Sequence, residues 1–112
     1  MLEKIVVILR KPPHGSMFAA EGLRAAVAVS ARLETTVVSI EDSVYSFLKN
    51  ADATIYQKHL DFLKEIEIPI FVDEDSLRER GLTKEDLLDA VEVKEHGEIL
   101  NILSEADATV TF

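Results

Sequence analysis

Apolar residues run without a break from Ile5 to Leu9 and stop at Arg10. Five consecutive apolar positions rich in β-branched side chains predict a strand over 2–9 covered on both faces, as in the centre of a parallel sheet. Pro12 and Pro13 lack the amide donors of a central strand and Gly15 adds backbone freedom, so 10–15 is predicted to be a loop. Ser16 then reads as the N-cap of an alanine-rich helix reaching Leu33, with Gly22 its weak point. On that helix Glu21, Arg24 and Arg32 fall with Ala28 on one narrow stripe, and every other side is apolar or small. A helix lying on a sheet needs only one apolar face, so this breadth implies burial against a neighbouring helix or a second subunit. The second subunit is the favoured reading, with Phe18, Leu23 and Val27 as interface candidates.

Further along, Thr36–Glu41 predicts a second strand and Asp42-Ser43 opens a short helical turn that points Val44, Phe47 and Leu48 inward. Thr54–Glu65 is amphipathic, with Ile55, His59, Phe62, Leu63 and Ile66 on the inward face. A third strand over Ile68–Val72 leads into the acidic turn Asp73-Glu74-Asp75 and a helix over Ser76–Arg80 stopped by Gly81. Thr83 and Asp86 form a weak capping pattern. Ala90–Val93, Glu95–Ala106 and Ala108–Phe112 complete the chain as strand, helix and strand, with Ile99, Leu100 and Leu103 inward. Alternating strands and helices predict a three-layer α/β/α fold around a five-stranded, mostly parallel sheet, with sites at the C-terminal ends of the strands. One domain over 1–112 is the expectation for this length.

Charge and cysteine content narrow the chemistry. Of the net charge of −9, residues 1–34 carry five basic and three acidic side chains and residues 35–112 seven and eighteen, so free nucleic acid is repelled by most of the surface. With no cysteine, the chain offers no thiolate metal ligand and carries no persulfide itself. No apolar run approaches the roughly 18 to 20 residues that cross a bilayer, and no signal pattern opens the chain, which predicts a cytoplasmic protein.

The strand-loop-helix segment from Arg10 to Ser16 is the local candidate for binding, because helix-start amides and two cations attract anions. His14, Gly15 and Ser16 are its candidate contacts, although the segment lacks the dinucleotide and phosphate-loop glycine patterns and also fits an ordinary capped loop. His14, His59 and His96 show no metal-ligand spacing and read as packed or hydrogen-bonded histidines, so no metal or other cofactor is expected. Asp73, Glu74 and Asp75 stand after the third strand, where a catalytic group can lie, but such runs usually stay solvated or cap the next helix. No serine has an identifiable base, and no catalytic residue is assigned.

Pro13-His14-Gly15-Ser16, continued by Glu21-Gly22-Leu23-Arg24-Ala25, and later Ser76-Leu77-Arg78-Glu79-Arg80-Gly81-Leu82 together resemble the DsrE/DsrF family, and most closely its DsrF/TusC branch. The resemblance runs nearly end to end and implies a small three-layer domain that assembles into hexamers, often of three related subunits in two copies each. It also implies a sulfur relay, toward thiolation of a tRNA wobble uridine or in intracellular sulfur oxidation. In the DsrE/TusD branch a cysteine shortly after the third strand carries the persulfide, and Asp73 falls approximately at that place. The resemblance therefore implies a non-catalytic subunit partnered by DsrE/TusD-like and DsrH/TusB-like chains. The alternative is a stand-alone homo-oligomer that binds a small anion through loop 10–16. An enzyme using the acidic turn and His14 ranks last, because no base, nucleophile and oxyanion donor can be assembled from the sequence. The motif also departs from the family pattern, with Arg10-Lys11-Pro12 before His14 and charge at 73–75.

Overall fold

The computed structural model describes residues 2–112. Five strands, β1 (Lys4–Leu9), β2 (Glu34–Ser39), β3 (Ile70–Asp73), β4 (Glu92–Lys94) and β5 (Ala108–Thr111), form one sheet in the order β4-β3-β2-β1-β5. Every pairing is parallel. The helices are α1 (Phe18–Val29), α2 (Gln57–Glu65), α3 (Glu74–Glu79) and α4 (His96–Glu105), with short 3₁₀ segments at Glu41–Phe47 and Lys84–Asp86. The expected α/β architecture is thus present, and the sheet is parallel throughout.

Register explains why Ile5–Leu9 is apolar at every position. Val7 pairs with Val37, which pairs with Ile70, and these point into a core closed by Leu23 and Ala26 of α1, Leu60 and Leu63 of α2, and Leu77 of α3. Val6, Val38 and Phe71 point the other way, onto Ile99, Ile102 and Leu103 of α4. Because neighbouring residues of a strand face opposite sides, a sheet covered on both faces needs an unbroken apolar run.

Several local expectations are corrected. Helix α1 starts at Phe18 behind Met17, and Ser16 is no N-cap: its Oγ only receives the Phe18 amide at a long 3.5 Å. The breadth of α1 is accounted for by α2, which packs beside it, and Leu23 is wholly buried in the protomer core. Leu23 therefore cannot touch a partner, whereas Phe18 is exposed and Val27 half-buried. On α2 the inward residues are Leu60 and Leu63, preceded by Tyr56, while Ile55, Phe62 and Ile66 are exposed. On α4, Ile102 takes the inward place expected of Leu100, which faces solvent. Ile99 and Leu103 face inward as expected, and Ile102 joins them because it lies three residues after Ile99 on the same side of the helix.

Gly22 is fixed by a close approach. A Cβ there would collide with Leu9 Cδ2 and stand 3.2 Å from the Phe112 side chain, so α1 lies against β1 and the chain end only because the side chain is missing.

Candidate functional site

The rim formed by the C-terminal ends of β1, β2 and β3 gathers most of the buried polar chemistry, as expected for a parallel sheet. Asp73 closes β3 and is 3% exposed. Its Oδ2 accepts hydrogen bonds from the Ser76 amide at 3.2 Å and from Ser76 Oγ at 2.7 Å, which makes it the N-cap of α3. Ser76 Oγ in turn accepts the Glu41 amide at 2.9 Å, tying the end of β2 to the end of β3. The second carboxylate oxygen, Oδ1, lies 3.1 Å from His96 Nδ1, at the first turn of α4. The His96 side chain is 50% exposed, so a buried carboxylate holds a ring that reaches solvent.

Glu41 occupies the left-handed region, φ 54°, a conformation that costs a non-glycine residue about 1–2 kcal/mol. Its carboxylate receives Arg10 Nε at 2.5 Å, and this bond from the Arg10 guanidinium holds the Glu41 carboxyl below its ordinary range. Arg80 donates through Nε and Nη2 to Asp42 Oδ1 at 3.1 and 3.0 Å and through Nη1 to the Ser76 carbonyl at 3.0 Å. Strain held by crossing bonds at a strand end is a feature of sites whose geometry is imposed by the surroundings.

The other expected site residues lie on the same rim but do not join this network. His14 and Gly15 are exposed, Gly15 with φ 89°, and Ser16 is half-buried. His14 lines a groove of about 370 Å³ with Pro12, Pro13, Tyr45, Leu48, Asn50 and Ala51. Of the two cations expected to serve an anion there, Arg10 is held by Glu41. Within the acidic turn the three carboxylates separate: Asp73 is buried, while Glu74 and Asp75 pair with Arg78 at 3.8 and 2.5 Å. Among the described residues no three His, Asp or Glu side chains converge as a metal-binding group, and no helix is long and apolar enough to cross a membrane.

His96, expected from the sequence as a packed or hydrogen-bonded histidine, has a partner that the sequence did not indicate. Its place follows from the sheet order: Asp73 pairs in register with Lys94, and His96 stands two residues beyond. Twenty-three residues separate the pair along the chain, and only the adjacency of β3 and β4 brings them together.

An all-parallel five-stranded sheet with one helix on one face, three on the other, and a polar network at its C-terminal rim defines a small doubly covered α/β domain. The chain belongs to the DsrE/DsrF-like family, whose pattern it matches over residues 3–112. It is 34% identical to a Protein TusC homolog of Vibrio vulnificus, over 99% of this chain and 100% of that one. It is 28% identical to the intracellular sulfur oxidation protein DsrF of Allochromatium vinosum, over 100% of this chain and 98% of that one. Among solved structures, the YchN protein of E. coli superimposes with a TM-score of 0.86 at 25% identity, covering 99% of this chain and 100% of the other.

Proposed function

We propose that this protein, acting as one DsrE/DsrF-like domain, is a cytoplasmic subunit of a sulfur-relay assembly and leaves the carrier thiol to a partner. The observation that carries the reading is Asp73. It stands where the third strand ends, the approximate place of the carrier cysteine in the DsrE/TusD branch, and it is consumed as a buried helix cap. A carboxylate cannot accept sulfane sulfur, and the chain has no cysteine elsewhere. Sequence similarity to TusC and DsrF proteins along the whole chain supports the same role.

The partners in this reading are DsrE/TusD-like and DsrH/TusB-like chains in a hexamer, serving tRNA thiolation or sulfur oxidation. Apolar side chains left open at Phe18 on α1 and at Ile55, Phe62 and Ile66 along α2 support such an assembly. The net charge of −9 supports a reading in which another subunit makes the main phosphate contacts of a tRNA-directed relay. Native mass spectrometry of the complex purified at native expression level tests the reading. Related subunits, at least one bearing a cysteine after its third strand, are the expected result. A homo-oligomer without such a partner would overturn it.

The second reading, a homo-oligomer that binds a small anion through His14, Gly15 and Ser16, draws on the groove beside His14. A melting temperature raised by inorganic phosphate or sulfate and unchanged by it in His14→Ala would favour this reading.

A further inference from the structure

We propose that His96, oriented by Asp73, accepts the proton of a thiol that a partner subunit presents at the C-terminal rim of the sheet. The inference rests on the relay reading, which requires a partner's thiol, and assigns this chain a chemical task within it.

Asp73 Oδ2 already accepts two hydrogen bonds, from the Ser76 amide and Ser76 Oγ, and these hold the side chain in one orientation with Oδ1 turned to His96. A carboxylate oxygen 3.1 Å from Nδ1 selects the tautomer with the proton on Nδ1. The lone pair is then on Nε2, at the far edge of a ring that is half exposed. A solvent-facing imidazole whose inner nitrogen is held by a buried carboxylate presents the free lone pair of Nε2 outward, which is the geometry a proton acceptor needs.

A helix tether alone would not call for a histidine, since α4 is anchored by Ile99 against Val6 and Val38. The carboxylate comes to the ring from β3. Among the charged residues on the ring's own segment, Lys94 pairs with Glu92 at 3.0 Å and with Glu98 at 3.7 Å, and Glu95 is the exposed residue ahead of the helix.

The step is a proton transfer. The S–H bond of the partner's cysteine breaks with its electron pair left on sulfur, the proton passes to Nε2, and no oxidant or reductant is consumed. The product is a thiolate beside an imidazolium, and the thiolate is the form that attacks sulfane sulfur. His96 is the residue that would touch the thiol, and Asp73 is a positioning residue that acts through it.

The test uses the intact complex with its cysteine-bearing subunit. Alkylation of that cysteine by iodoacetamide is followed against pH for the native chain, His96→Gln and Asp73→Asn, with native mass spectrometry confirming assembly of each. The native complex should react faster near pH 7 by roughly three- to tenfold than the His96→Gln complex, whose profile should move to higher pH. Asp73→Asn, whose oxygen stays on Ser76 and whose amide nitrogen then donates to Nδ1, favours the Nε2–H tautomer and should move the profile toward that of His96→Gln. Superimposable profiles in assembled complexes would overturn the inference and leave the relay reading standing, whereas a complex with no cysteine-bearing subunit would overturn both. The ¹⁵N shifts of the His96 ring in the native chain give a check that needs no variant: Nδ1–H is expected, and an Nε2–H tautomer would overturn the assignment.

Discussion

Glu67 ends α2 in the same left-handed conformation with which Gly81 ends α3. Glu67 has φ 60° and Gly81 φ 68°. Around each, the amide of that residue reaches back three residues, to Lys64 O and Arg78 O, and the next amide reaches back five, from Ile68 to Leu63 O and from Leu82 to Leu77 O. Both are helix ends closed by the paired bonds that favour glycine at the left-handed position. Glu67→Gly should therefore stabilise the protein by about 1 kcal/mol, and Gly81→Ala should destabilise it by about the same. Urea denaturation of the two variants checks the opposite signs.

Gly22→Ala runs against helix propensity. A methyl in a helix interior normally gains about 1 kcal/mol over glycine, but here it meets the Cδ2 of Leu9, which is fully buried, and stands close to Phe112. Overpacking of that kind costs about 1–3 kcal/mol. The variant is expected to melt below the native protein, and a gain in melting temperature would show that α1 can shift away from β1.

Replacing Asp73 by alanine removes the cap of α3 and leaves the amide and hydroxyl of Ser76 without their buried acceptor. The expected cost is about 2–3 kcal/mol. Asp73→Asn keeps a capping oxygen and should cost clearly less, which separates the structural duty of the residue from its effect on His96. Equal losses in urea denaturation would remove that distinction.

Tyr56 is buried, and its hydroxyl donates to the Ser46 carbonyl at 2.7 Å. Burial raises its pKa above the ordinary phenol value. Ionisation is then easier in the unfolded chain, so the stability contribution is complete below the unfolded pKa near 10 and is lost as pH rises toward the folded value. Tyr56→Phe should lower stability by about 1 kcal/mol at neutral pH and flatten the fall above pH 10. Denaturation midpoints measured at pH 7 and at about pH 10.5 give both quantities.

Phe18→Asp and Phe62→Asp place charge on apolar side chains that the protomer leaves 47% and 45% exposed. If these faces meet partners, each variant should lower the mass of the assembly in sedimentation while its helical circular dichroism is unchanged. Full-sized assemblies from both variants would locate the contacts elsewhere.

The amino-acid order by itself determined the layers. The unbroken run Ile5–Leu9, short and rich in β-branched residues, points to a strand covered on both faces, and Pro12, Pro13 and Gly81 punctuate the chain through local backbone chemistry that needs no tertiary context. Helix faces were less legible. Ile55, Phe62 and Ile66 share a side of α2 with apolar character equal to that of Tyr56, Leu60 and Leu63, and only packing against α1 and the sheet decided which set is buried. The site divided in the same way. That Asp73 ends a strand and precedes a helix could be read from the sequence, which is why it stood out. That it meets His96 instead of His14 could not, because their contact depends on β4 lying beside β3, and strand order is set by long-range packing that no local pattern encodes.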